Sequence, residues 1–121
     1  MVEIWYTETV VHGSGGGKKL GFPTVNLNAD RFVGELKDGI YSCVVEYENK
    51  QYLGAMYFGP RYISSEKRYI LEIHILDFDK TVYGKNIEFK VGEFIRKPVD
   101  TKSEEELIEL INNDVKRIRS L

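Results

Sequence analysis

Residues at every second position set the terms for this chain. Behind Gly39, Tyr41, Cys43, Val45 and Tyr47 recur with a period of two, and Val2, Ile4 and Tyr6 do the same at the N-terminus. That is the pattern of strands with one buried face. Glu48-Asn49-Lys50 reads as a hairpin turn into the run from Tyr52 to Phe58. The segment RYILEIHILDF (Arg68 to Phe78), a turn around Asp79-Lys80 and then VYGKNIEFKV, with Ile87, Phe89 and Val91 on one face, predict a second hairpin. Short strands this close together, separated by turn residues, predict a closed barrel or a sandwich spanning about residues 2–91.

The C-terminal segment changes period. Ser103 followed by Glu106 matches a capping box, and Leu107, Ile108, Ile111, Val115 and Ile118 then form one apolar stripe of a helix over about 104–119. Acidic residues crowd its first turn and Lys116, Arg117 and Arg119 its last, as the helix dipole favours. The stripe needs a surface to pack on, and the strands are the one available.

A chain of 121 residues fits one domain, 1–121, with a single core. Its net charge of −2 argues against a general nucleic-acid or anionic-membrane binder, so phosphate recognition has to be local. Cys43 is the only cysteine, which excludes an internal disulfide and a multi-thiolate metal site. No apolar stretch is long enough to cross a bilayer and Met1 to Trp5 lacks signal-peptide character, so the cytoplasm is the expected compartment; a monomer is the default for such a barrel.

Three stretches carry chemistry. HGSGGGKKLG, His12 to Gly21, could wrap phosphates with backbone N–H groups, and Lys18 and Lys19 could add charge. It matches neither the Walker pattern nor G-x-G-x-x-G, and a mobile hairpin loop reads the same. In GFPTVNLN, Pro23 heads a strand in which Thr24, Asn26 and Asn28 share one side and Val25 and Leu27 the other. A hydroxyl and an amide carbonyl side by side are hard donors suited to Mg²⁺ that keeps water and nucleotide phosphates, although a solvent-facing strand has the same pattern. Glu72 shares a face with Ile70 and His74, where an apolar setting would favour its use as a proton acceptor. Taken alone, a cross-strand ion pair with a lysine is the plainer reading of Glu72, and a hydrogen-bonded strand histidine that of His74. Arg96 with Tyr57, Phe58, Tyr62 and Phe94 could flank a planar ligand, or the aromatics could simply be core.

In order, VVHGSGGGKKLGFPTVNL, DGIYSCVVEY, LEIHILDFDKTVYGKNIEFKV, FIRKP and SEEELIELINNDV make the chain resemble the riboflavin kinase (flavokinase) family from about Thr9 to Lys116. The resemblance implies a mainly β fold, a six-stranded antiparallel Greek-key barrel with a C-terminal α-helix. It also implies transfer of the ATP γ-phosphoryl group to the riboflavin 5′-hydroxyl with Mg²⁺, giving FMN. Position by position it assigns Thr24 and Asn26 to the metal and Glu72 to the catalytic base. Gly13, Gly15, Gly16 and Gly17 correspond to a flap over the phosphates, with Lys18, Lys19, Gly21 and Pro23 on the nucleotide side and Arg96 on the flavin side. The chain departs from the family at Gly16, where an arginine is usual. It departs again after Gly59, where Pro60-Arg61-Tyr62-Ile63 stands in place of a Pro-Thr pair, and at Pro98 and Thr101. Those changes leave a second reading, a non-catalytic flavin- or nucleotide-binding barrel.

Overall fold

The computed structural model describes residues 3–13, 21–63 and 65–121, and only the backbone of Tyr62 and Ile63. Strands β1 (Tyr6–Thr9), β2 (Val25–Leu27), β3 (Gly39–Tyr47), β4 (Lys50–Ile63), β5 (Glu66–Ile75) and β6 (Asn86–Arg96) are followed by helix α1 (Glu104–Arg119). All pairings are antiparallel, in the order β1-β6-β3-β4-β5-β2. Within it, β6-β3-β4-β5 is a Greek key: three hairpin-linked strands and a fourth that returns to lie beside the first. The two outer strands are drawn together by a bridge between Val11 and Asn26, where the Val11 N–H donates to the Asn26 carbonyl at 2.8 Å, so the sheet is a nearly closed barrel.

Local signals are realised where the chain turns tightly. Glu48 and Asn49 have φ of 50° and 66°, the primed turn whose twist suits a two-residue hairpin, and Tyr47 pairs with Lys50 across it. The second expected hairpin is not formed. β5 spends one edge on β4 and the other on β2, so no edge is left for β6, which lies between β1 and β3. Residues 76–85 are too long for a hairpin loop, and they cross the end of the barrel with Val82 in its core. The first strand is also shorter than its pattern: Ile4 is exposed and the β1–β6 ladder begins only at Tyr6; Val2 lies outside the described residues.

Inward-facing Leu27, Val45, Met56, Phe58, Leu71, Ile73 and Phe89 fill the barrel. Where β3 and β6 slip register, the Ser42 hydroxyl accepts the Glu93 N–H at 2.8 Å and mends the ladder. Helix α1 covers the outer surface: Ile118 joins Leu76 and Ile95 in a second cluster, with Ile40, Ala55 and Val115 around it. At its start the Ser103 hydroxyl accepts from the Glu106 N–H at 3.1 Å, while the Glu106 carboxylate takes the Lys102 N–H at 3.4 Å instead of completing the box. No helix among the described residues is long and apolar enough to cross a membrane.

Candidate active site

Strand alternation decides which side chains meet. Val25 and Leu27 pair with Ile73 and Leu71 and point inward, so Asn26 and its partner Glu72 stand side by side on the outer face. Thr24, one residue before β2, donates its hydroxyl to Glu72 Oε2 at 3.3 Å. His74, two positions along, holds the backbone in front: its Nδ1 lies 3.0 Å from the Pro23 carbonyl, and its ring meets Phe22 edge-on. A carbonyl only accepts, so this Nδ1 carries the proton. The fixed φ of Pro23 and the two outward residues of β5 together seat Thr24.

The other neighbour of Glu72 is β4. Tyr57 pairs with Glu72, and its hydroxyl donates to the Pro60 carbonyl at 2.8 Å. Burial pushes the Tyr57 phenol above its ordinary value, opposed by the Arg61 charge and helped by Asp38, Glu72 and Tyr69, so it stays a neutral donor. Arg61 reaches back along the strand to donate to Glu72 Oε1 at 2.9 Å. The Glu72 side chain is 16% exposed and that of Arg61 40%. Glu72 therefore sits in a charged, hydrogen-bonded setting and not among hydrocarbon. The cross-strand ion pair exists, but its partner is an arginine of the adjacent strand and not the expected lysine.

Two cavities of about 320 Å³ each adjoin Asn26 and Gly13. One runs past Pro23 and Thr24 to Phe78, Lys80 and Tyr83 and is floored by Val10, Ile73 and Ile75. The other lies toward Arg61, Tyr69 and Asn28. Beside the first, His12 stacks on Tyr83 with centroids 4.0 Å apart. Gly13 presses on Asn26 so closely that a Cβ there would overlap the amide. Among the described residues no three His, Cys, Asp or Glu side chains converge into a metal cage. The neutral oxygens of Thr24 and Asn26 fit Mg²⁺, which takes few protein ligands and leaves room for water and phosphate.

The structure thus brings Gly13, Pro23, Thr24, Asn26 and Glu72 together. Gly21, at φ +87°, is the turn residue leading into Phe22. Asn28 leaves the row: its side chain accepts the Asp30 N–H at 2.8 Å and starts the 3-10 turn Asp30–Phe32. Arg96 lines neither cavity; it grips Asp114 of α1 through two hydrogen bonds of 2.8 and 2.7 Å. Phe58 is core, and Phe94 packs on Tyr41. Gly15, Gly16, Gly17, Lys18 and Lys19 lie outside the described residues, as does the Tyr62 side chain. Arg61 and Asp114 are the residues that pattern reading missed. The β4–β5 register would have disclosed Arg61, and the position of Asp114 beside Ile111, Val115 and Ile118 marks a polar group within the helix's packed stripe.

Hard oxygens beside an oriented carboxylate, on the outside of a small Greek-key barrel, equip a domain for group transfer to a hydroxyl. The family model described as Flavokinase: Riboflavin kinase matches residues 2–121, and the chain belongs to the riboflavin kinase family. The barrel is accordingly a flavokinase-type domain. It is 40% identical over 108 residues to the trifunctional protein RibF/MnmA of Mycoplasmoides gallisepticum, covering 89% of this chain and 16% of that one. It is 32% identical over 113 residues to a bifunctional riboflavin kinase/FMN adenylyltransferase of Buchnera aphidicola, covering 91% and 36%. The riboflavin kinase of Trypanosoma brucei superposes with a TM-score of 0.68 at 26% identity, over 96% of this chain and 77% of that one. The chain thus spans little more than a third, or less, of these two curated relatives.

Proposed function

We propose that the domain transfers the γ-phosphoryl group of ATP to the 5′-hydroxyl of riboflavin, giving FMN and ADP. Glu72 serves as general base and Thr24 and Asn26 as the Mg²⁺ ligands. What supports the assignment most is the β2–β5 register, which sets Asn26 opposite Glu72 with the Thr24 hydroxyl 3.3 Å from its carboxylate. Proton acceptor and metal donors then lie within one phosphoryl group of each other. Phosphoryl transfer asks little covalent chemistry of a protein and depends on positioning and charge.

The nucleotide occupies the cavity between Pro23–Asn26 and the 78–83 segment, where Phe78 and Val82 offer apolar surface and Lys80 charge. Gly13, Gly15, Gly16 and Gly17 cover the phosphates, with Lys18 and Lys19 supplying charge and Gly21 and Pro23 fixing the loop's return. Bound Mg²⁺ supplies charge neutralisation at the phosphate oxygens. Glu72 takes the proton of the 5′-hydroxyl as its oxygen bonds to the γ-phosphorus and the bond from that phosphorus to the bridging oxygen breaks. Arg96 serves the flavin side by seating α1 against the barrel. On this reading ATP, Mg²⁺ and riboflavin are the domain's small-molecule partners in the cytoplasm.

Riboflavin, ATP and MgCl₂ incubated with the protein should yield FMN, separable by chromatography with fluorescence detection. Glu72→Gln keeps the shape of the side chain but cannot accept the proton, so turnover should fall roughly 10²–10⁴-fold with circular dichroism unchanged. A fully active Gln variant would remove Glu72 from the mechanism.

A further inference from the structure

Glu72 is held unequally at its two oxygens. Oε1 receives a full hydrogen bond of 2.9 Å from Arg61 Nη2. Oε2 receives only 3.3 Å from Thr24 and 3.5 Å from Arg61 Nη1, both at the outer limit of hydrogen bonding. Arg61 is four residues beyond Tyr57, the cross-strand partner of Glu72, and it can reach back because the residue between them on that face is Gly59. A Cβ at Gly59 would come within 2.7 Å of the Tyr57 hydroxyl, so a side chain there would displace the phenol that braces this stretch of β4. The guanidinium lies 5.7 Å from the centroid of the Tyr57 ring, and the Tyr57 hydroxyl braces the Pro60 carbonyl at the peptide that leads into Arg61. Arg61 is therefore the residue that holds Oε1, and Tyr57 steadies the backbone that leads into it.

We infer that Arg61 is a positioning residue for phosphotransfer: it fixes Glu72 by Oε1, so that Oε2, on the Thr24 side, is the oxygen that takes the acceptor's proton. The inference rests on the reading of Glu72 as base. A planar, two-armed guanidinium fixes both the direction and the tilt of a carboxylate, which the point charge of a lysine does not. Misplacing a reacting group by about 1 Å can cost on the order of 10²-fold in rate.

The test compares kcat and KM for riboflavin and for MgATP in the wild type, Arg61→Ala, Arg61→Lys, Glu72→Gln and the Arg61→Ala/Glu72→Gln double variant. Arg61→Ala should lower kcat about 10–100-fold with both KM values within about twofold, and Arg61→Lys should recover only part of it. Because Arg61 acts through Glu72, removing it from the Gln variant should cost no more than about another twofold. Equal losses in both backgrounds would assign Arg61 directly to the transferring phosphate, and a raised KM for MgATP at unchanged kcat would assign it to nucleotide binding; either overturns the inference. So does an Arg61→Ala variant that turns over like the wild type while Glu72→Gln is impaired. Full activity of Glu72→Gln would instead overturn the base assignment.

Discussion

Gly13 has no functional group, yet it sets the place of one that matters. Its backbone lies against the Asn26 amide, and the missing Cβ is what leaves the amide its room. Gly13 is not among the residues with positive φ, so alanine there strains no backbone and pushes first on Asn26. Gly13→Ala should raise the Mg²⁺ concentration needed for half-maximal FMN formation by about 10-fold, the effect of disturbing a ligand's support. The melting temperature should move little, because position 13 is exposed. A variant with wild-type Mg²⁺ dependence would show that Asn26 is not held for a metal. At this scale the site was partly legible: alternation alone puts Thr24 and Asn26 on one side of a strand and Glu72 on one side of another. It does not say which strands adjoin. Arg61 escaped notice as a site residue because its contact with Glu72 depends on the β4–β5 register, which is not written in a local pattern.

Elements were legible in proportion to how local their causes are. The β3–β4 hairpin follows from a two-residue turn and the helix from its cap and stripe, each readable within a few residues. The partnership of β6 with β1 and β3 depends on residues tens of positions away, so the period-two signal fixed a strand and left its neighbours open. The seat of α1 has a similar non-local origin. Asp114 is 6% exposed and Arg96 21%, and the pair links the end of β6 to the middle of the helix. Nearby, Arg117 donates to the Ile95 carbonyl at 2.9 Å, and Arg119 grips Asp77 just past the end of β5. Asp114→Ala leaves a largely buried guanidinium without its counter-charge and should destabilise the fold by about 3 kcal/mol, the low end for breaking a buried pair because Arg96 keeps some water. Urea unfolding measures this, and a loss below about 1 kcal/mol would class the pair with surface bridges.

The whole molecule is organised around a barrel interior that Cys43 reports on. Its thiol is 1% exposed, and burial pushes it up to about 12 from an ordinary 9.0. Below pH 9 both folded and unfolded chains keep the proton, and the thiol adds no pH dependence. Above pH 9 the unfolded chain loses it while the folded chain retains it, so stability falls with pH by up to about 1.4 kcal/mol per unit until the native thiol itself ionises. Cys43→Ala lacks this slope, so the stability gap between wild type and variant should narrow from pH 8 to pH 10; a constant gap would mean that the native thiol titrates like an exposed one. The barrel's closure has a different consequence. Among the described residues one bridge, Val11 to Asn26, joins the two outermost strands, and Asn26 is also a residue we propose as a Mg²⁺ ligand. The ring is clasped, not welded, and on the proposed assignment of Asn26 its clasp is the point that ligand grips. Occupancy therefore acts as a fastener, and by mass action part of the work of binding nucleotide appears as resistance of the entire barrel to springing open.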